Sequence, residues 1–225
     1  MANLALFDLD MTLLDVDSDH SWGQYIVQEG LVDAKIYADA NDKFYQDYIN
    51  GTLDAVEYNE FVAAFLTTKT YDELDVYRKQ YLQKVIVPAM RPKAIAAIAK
   101  HRQMGDTVVV ISATNDFVVV PIAALFGVDS EHTLATRLEF INGRYTGKVL
   151  GRPNFKDGKI YHLDAFIDDK KQAGITFDRL IAYSDSKNDL PLLSRADDAI
   201  CVNPDAVLRE HAIKNGWRIE DWAMA

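Results

Sequence analysis

Two carboxylates two positions apart, Asp8 and Asp10, are the first groups in the chain with obvious chemistry. They follow the apolar run Leu4-Ala5-Leu6-Phe7 and precede Thr12 and Leu13-Leu14. Leaving a strand end, both acids can approach one reacting centre. Asp8 suits a nucleophile, and Asp10 suits an acid that gives a proton to a leaving oxygen and later takes one from water. For an Asp-x-Asp pair standing alone, a turn in which Asp10 caps the next segment is the better account; the strand, the threonine and Leu13-Leu14 around it favour the chemical one. Further along, Asp185-Ser186-Lys187-Asn188-Asp189 follows an apolar run ending at Tyr183. Acids there can join Asp8 in an oxygen shell for Mg2+, which prefers carboxylates, carbonyls and water; capping of a short helix by Asp185 or Ser186 is compatible with that role. Ser112 closes a third run and is followed by Ala113-Thr114-Asn115, where a hydroxyl and free backbone donors at a helix start suit a phosphate. Lys159 stands after Gly158 at a predicted helix start, where the helix dipole does not favour a cation. It therefore asks for an anion or an acidic partner, with Lys156 a nearby competitor.

The elements that must position these groups follow from periodicity. Residues 4–7 read as a buried parallel strand. From about Ser18 to Val87 proline is missing and apolar residues recur at helical spacing, which predicts some four helices broken near Gly30, Asn50-Gly51 and Thr67–Thr70. After Pro88 helix and strand alternate: helices over 93–104, 116–126, 158–167, 189–193 and 205–215, and strands over 107–111, 132–136, 180–183, 199–202 and 217–219. A hairpin is expected around Asn142-Gly143. Alternation of this kind implies α/β architecture, a doubly wound, mostly parallel sheet with a helical insertion above it. The expected division is an α/β core of residues 1–16 and 89–225 and a helical cap of residues 17–88. Ligands of such sheets bind beyond the carboxyl ends of the strands, which gathers Asp8, Ser112 and Asp185 at one rim.

Composition narrows the class of partner. A net charge of -10 over 225 residues argues against nucleic acid, since no basic stripe offsets phosphate repulsion. No apolar run approaches a membrane span, and the start Met1-Ala2-Asn3 lacks a basic, hydrophobic leader. With Cys201 the one cysteine, an internal disulfide is impossible, and a reducing, cytoplasmic location is the expectation. The five histidines show no paired metal spacing with one another or with Cys201.

In this order, Asp-x-Asp-x-Thr, Ser112, Lys159, and Asp185 with Asp189 resemble the haloacid dehalogenase superfamily of phosphatases. The helical insert right after the first motif resembles the C1-type cap of the phosphoserine phosphatase-like branch (subfamily IB). Asp17-Ser18-Asp19-His20-Ser21-Trp22-Gly23 is similar to the bacterial subgroup that includes histidinol-phosphate phosphatases. The resemblance implies attack on phosphorus by Asp8 and general acid–base work by Asp10. It implies Mg2+ held by Asp8, the Asp10 backbone carbonyl and Asp185. It also implies phosphoryl binding by Ser112, Lys159, Thr12 and Ala113, with Asp189 and Asn188 in support. Met11 and Ser184 depart from the pattern, which usually has a polar residue and a glycine there; Met11 is expected to alter local packing only, and Ser184 to narrow backbone approach to the metal.

The substrate implied is a small phosphorylated metabolite. In the phosphoserine branch an acid nine positions after the nucleophile meets an ammonium group, and Asp17 occupies that position here. Asp17 and Asp19 capping the first cap helix is the competing explanation. Between Asp15 and Thr68 there is no arginine to read a carboxylate. Histidinol phosphate therefore fits better than phosphoserine, with Asp17, Asp19, Trp22, Tyr25, Phe44 and Tyr48 as candidate lining. Three rivals remain. Metal-free dehalogenation has no use for Asp10, phospho-acceptor domains lack the helical insert, and a binding protein on the same scaffold would have no need of the four charged groups together.

Overall fold

The computed structural model describes residues 2–224. Strand β1 (Ala2–Phe7) runs through a wide turn at Leu9–Leu13 into helices α1 (Ser18–Gln28), α2 (Ala34–Asn50), α3 (Ala55–Leu66), α4 (Tyr71–Tyr81) and the short α5 (Val87–Ala89). Then come α6 (Pro92–Gln103), β2 (Thr107–Asn115), α7 (Asp116–Leu125), β3 (Thr133–Thr136), β4 (Leu138–Ile141) and β5 (Arg144–Val149). The chain ends with α8 (Asp157–Gln172), β6 (Phe177–Ser184), α9 (Leu190–Arg195), β7 (Asp198–Val202), α10 (Ala206–Asn215) and β8 (Arg218–Glu220).

Local chemistry sets the four inserted helices. Asp17, Asp33, Asp54 and Thr70 are their N-caps, each accepting from backbone N–H groups of the first turn. Thr70 and Glu73 close a reciprocal capping box. Gly51 ends α2 with φ 76°, a conformation open to glycine without steric cost. The insert leaves and rejoins the sheet layer side by side, because Leu14 and Met90 form an antiparallel bridge. Buried Arg91 secures that crossing through the Leu14 and Trp222 carbonyls and an ion pair to Asp15.

Six strands pair in the order β3-β2-β1-β6-β7-β8, every neighbouring pair parallel. Period-two alternation divides their apolar side chains. Ala5, Phe7, Val108, Val110, Ile181 and Tyr183 share one core with α6, α7 and the inserted helices. Leu4, Leu6, Val109, Ile111, Leu180 and Ala182 pack under α8, α9 and α10. The chain turns to opposite sides after β1, which places the end of β1 at the switch point of the sheet.

The structure corrects the sequence boundaries in places. Helix α8 continues to Gln172 and β6 begins at Phe177, because the flanking polar residues lie on solvent-facing positions that periodicity leaves unread. More telling is β2, which does not end at Ser112. Its pairing with β3 passes from Ile111–Leu134 to Asn115–Thr136, so extra residues on β2 bulge outward at Ser112-Ala113-Thr114.

Candidate active site

Asp8 continues the strand it follows: its N–H donates to the Tyr183 carbonyl at 2.9 Å, which fixes its carboxylate at the rim between β1 and β6. Lys159 Nζ donates to Asp8 Oδ1 and to Asp189 Oδ2, both at 2.7 Å and all buried. This is the acidic partnership its place at a helix start demanded. Burial works against its charge, yet Asp189 and then Asp8 hold the ammonium above its ordinary range. Gly158 makes the approach possible, since a Cβ there would lie 2.0 Å from the Pro153 carbonyl oxygen.

Asp10 is held from two sides. Its Oδ1 accepts from the Ser18 N–H at 2.7 Å, at the start of α1. Its Oδ2 accepts from Thr114 Oγ1 at 3.0 Å and, more loosely, from Ser112 Oγ at 3.4 Å. The bulge in β2 is what aims both hydroxyls at it. Burial, reinforced by Asp17, pushes the Asp10 carboxyl up to about 6 against the pull of those bonds. Asp8 is pushed up to about 7 by burial, with Lys159 opposing and Asp189 and Asp10 adding to the rise.

The polar groups of the bulge are satisfied by one residue that sequence reasoning missed. Asn154 donates through Nδ2 to the Ser112 and Leu134 carbonyls, each at 2.8 Å. Its N–H donates to Thr136 Oγ1, which in turn donates to the Ala113 carbonyl. Nothing periodic marks Asn154; the Arg152-Pro153 step before it is the only local hint of a fixed loop. Lys156, the competitor to Lys159, points elsewhere and donates to the Gly51 carbonyl at 2.9 Å.

Thr12, expected at the phosphate, is fully buried. Its hydroxyl contacts Asp185 Oδ1 at 3.2 Å and Asp8 Oδ2 at 3.5 Å. One hydroxyl proton cannot satisfy both. Burial, then Asp8 and Asp189, drive the Asp185 carboxyl well above its ordinary value. A buried and a half-buried carboxylate competing for one proton fit a hard divalent cation between oxygen ligands. No group of three or more His, Cys, Asp or Glu side chains at metal-binding spacing occurs among the described residues, so a cation here would draw on the two carboxylates, backbone carbonyl and water.

Both departures from the motif acquire a structure. Ser184 Oγ donates to Asp189 Oδ2 at 2.7 Å and accepts from the Ser186 N–H, so the hydroxyl supports the carboxylate that holds Lys159. Met11 takes φ 55°, and its N–H donates to the Val16 carbonyl, so that donor is already engaged and does not face a phosphate.

A cavity over this rim is lined by Asp8, Asp10, Ser112, Ala113, Lys159, Asn188 and Asp189 on the sheet side. On the helical side stand Asp17, Asp19, Phe44 and Tyr48, together with His20, Tyr58 and Asn59, which sequence reasoning passed over. Asp185 belongs to an adjoining groove that shares Asp17, Tyr48 and Asn188 with the cavity. Trp22 and Tyr25 are corrections: both sit in the core against Tyr81, and Trp22 also against Phe117, so the aromatic stripe of α1 packs helices together and does not face the cavity.

Residues 5–194 match the family of haloacid dehalogenase-like hydrolases. The chain belongs to that family. A histidinol-phosphatase of Neisseria meningitidis serogroup C is 40% identical to this hydrolase over 97% of this chain and 98% of its own. A protein of unknown function from Bordetella pertussis superposes with a TM-score of 0.91 at 35% identity, covering 99% of this chain and all of that one. A substrate-bound phosphoserine phosphatase has a TM-score of 0.67 at 20% identity over 93% and 90% of the two chains, a likeness of fold. The hydrolase is accordingly a phosphatase of the phosphoric monoester class. No helix among the described residues is long and apolar enough to cross a membrane.

Proposed function

We propose that this enzyme hydrolyses histidinol phosphate, a small amino-bearing monoester, through a phospho-aspartyl intermediate on Asp8. The observation that carries the chemistry is the triangle of Lys159 with Asp8 and Asp189, set beside an independently anchored Asp10. Asp8 Oδ1 is occupied by Lys159, whereas Oδ2 has only the long contact to Thr12. An Asp8 oxygen attacks phosphorus as the bond to the substrate alcohol breaks, and Asp10 delivers its proton to the departing oxygen. A water then attacks phosphorus, Asp10 takes its proton, and inorganic phosphate leaves Asp8. Asp10, pushed up to about 6 by burial, is suited to carry a proton in one half-reaction and release it in the other. Lys159 and the Ser112 hydroxyl offset charge on the phosphoryl oxygens. Mg2+, held by Asp8, the Asp10 carbonyl and Asp185, would neutralise negative charge where phosphate meets carboxylate.

The 40% identity to a histidinol-phosphatase along the whole chain supports this substrate. So does a cavity whose helical side offers Asp17 and Asp19, with no arginine lining it among the described residues. Phosphoserine is the second reading, favoured by the shared fold, but its carboxylate would face those acids. The test is initial-rate measurement on histidinol phosphate and phosphoserine side by side, with Mg2+ and after EDTA. Faster turnover of histidinol phosphate, abolished by EDTA and restored by Mg2+, is expected. Equal rates on the two esters would remove the substrate assignment, and indifference to EDTA the metal.

A further inference from the structure

The helical end of the cavity carries two buried acceptors without a close donor, although an interaction with the Tyr58 hydroxyl opposes the burial-driven rise of the Asp19 carboxyl. Asp19 and Asn59 both line it, and each is 2% exposed. Asp19 Oδ2 and Asn59 Oδ1 are buried without a hydrogen-bond partner. Their other polar atoms are committed: Asp19 Oδ1 accepts from Asn115 Nδ2 at 3.2 Å, and Asn59 Nδ2 donates to the Ala55 carbonyl at 2.8 Å. The second bond fixes the sense of the Asn59 amide, because the reverse orientation would set its oxygen against a carbonyl. A buried acceptor left unpaired is costly, and folding seldom tolerates two in one cavity.

The charge around them has the same gap. The acids lining the cavity are Asp8, Asp10, Asp17, Asp19 and Asp189, and Lys159 is already bonded to Asp8 and Asp189. His20, also in the lining, has its ring nitrogens engaged by Asn41 and Gln24. Asp17, the residue that motif position favours as reader of an ammonium group, spends Oδ1 on the Asp19 and His20 N–H groups as the cap of α1.

We infer that Asp19 and Asn59 form an acceptor pair for the N–H donors at the far end of the substrate, and that Asp19 is the main determinant of specificity for a cationic alcohol moiety. The assignment rests on the phosphatase reading above and deepens it. A substrate with a carboxylate at that end meets two more acceptors and no lysine or arginine free to pair with it. One whose far end is a protonated amine or an imidazole N–H supplies what both oxygens lack, beside Phe44 and Tyr58, which also line the cavity.

The test compares wild type with Asp19→Asn, which keeps shape and removes charge. Rates are measured on histidinol phosphate and on p-nitrophenyl phosphate, an ester without N–H donors. Inhibition of the second reaction by histidinol, the alcohol alone, is measured as well. The ratio of kcat/KM values, histidinol phosphate over p-nitrophenyl phosphate, is expected to fall by about tenfold to a hundredfold. The loss should lie mainly in KM, with the inhibition constant of histidinol rising in parallel. Equal losses on both esters, or an unchanged inhibition constant, would overturn the pair. Should Asp19→Asn not fold by circular dichroism, Asn59→Ala undergoes the same comparison. If wild type hydrolyses neither ester with Mg2+, the proposed function fails. Calorimetry of histidinol then decides the pair separately: binding to wild type that weakens in the variant supports it, and equal or absent binding refutes it.

Discussion

Lys159 occupies the first turn of a helix, a poor place for a cation on electrostatic grounds, and is nonetheless buried. The two carboxylates at 2.7 Å account for that, and they also define the duty of each neighbour. Replacing Asp8 by Asn keeps the donor–acceptor geometry with Lys159 but removes the nucleophile. Turnover should drop by at least about a thousandfold with circular dichroism unchanged, and near-wild-type rates in that variant would end the proposed mechanism. Ser184 belongs to the same network one bond further out. Ser184→Ala leaves Asp189 with one donor fewer in a buried setting, and a loss of about 1–2 kcal/mol in urea unfolding is expected. The charged members of this network were legible in the sequence because chemistry restricts their types, Asp8 and the Asp185–Asp189 segment each follow an apolar run, and Lys159 stands at a helix start that does not favour a cation. Thr114, Asn154 and Asn59 were not, since neutral polar residues fill turns and caps everywhere and only tertiary contact tells them apart.

At the scale of elements, two devices aim side chains that a regular strand and helix would misdirect. The bulge in β2 turns Ser112 and Thr114 toward Asp10, and the loop 150–156 pins that bulge from behind through Asn154. The same loop presses Pro153 against Gly158. Gly158→Ala therefore has to displace backbone, not a pliant side chain. It should cost about 1–3 kcal/mol, and because it moves Lys159 directly, kcat should fall further than a stability loss alone explains; denaturant titration and steady-state rates together check this. The four long inserted helices, strand order of appearance and the Asn142-Gly143 hairpin could be read from periodicity and turn residues, whereas the short α5 at Val87–Ala89 could not. The bulge could not, since Thr107 to Asn115 gives no pattern that separates a continuous strand from one with residues looped out.

Over the whole molecule, buried acids dominate the pH response. Asp8, Asp10, Asp17, Asp19 and Asp185 all have their carboxyls raised, with burial the largest cause in each. A carboxyl raised by folding contributes stability that is complete below its unfolded value of 3.8 and is lost as pH climbs through its folded value. For Asp10 and Asp8 that window closes at about 6 and about 7. His20, lowered by burial, acts in the opposite sense but is a single group. The metal-free protein should therefore have a lower Tm at pH 8 than at pH 5.5. Saturating Mg2+, which binds the ionised carboxylates, should raise the Tm more at pH 8 than at pH 5.5. Thermal melts at both pH values with and without Mg2+ check this, and a metal-free Tm that climbs steadily with pH would contradict it.

The inserted helices and one face of the sheet share a single apolar core, from Trp22 and Phe65 through Phe117 to Phe7. Arg78 crosses the same boundary, donating to the Phe117 carbonyl from beneath the ring. Exchanging the segment 17–88 with that of a distant relative would thus transplant one wall of a shared hydrophobic interior along with the specificity walls. Chimeras should fold only when the recipient surface of α7 travels with the graft. Substrate range in this lineage is then free to drift by single replacements around the cavity, and far less free to change by wholesale exchange of parts.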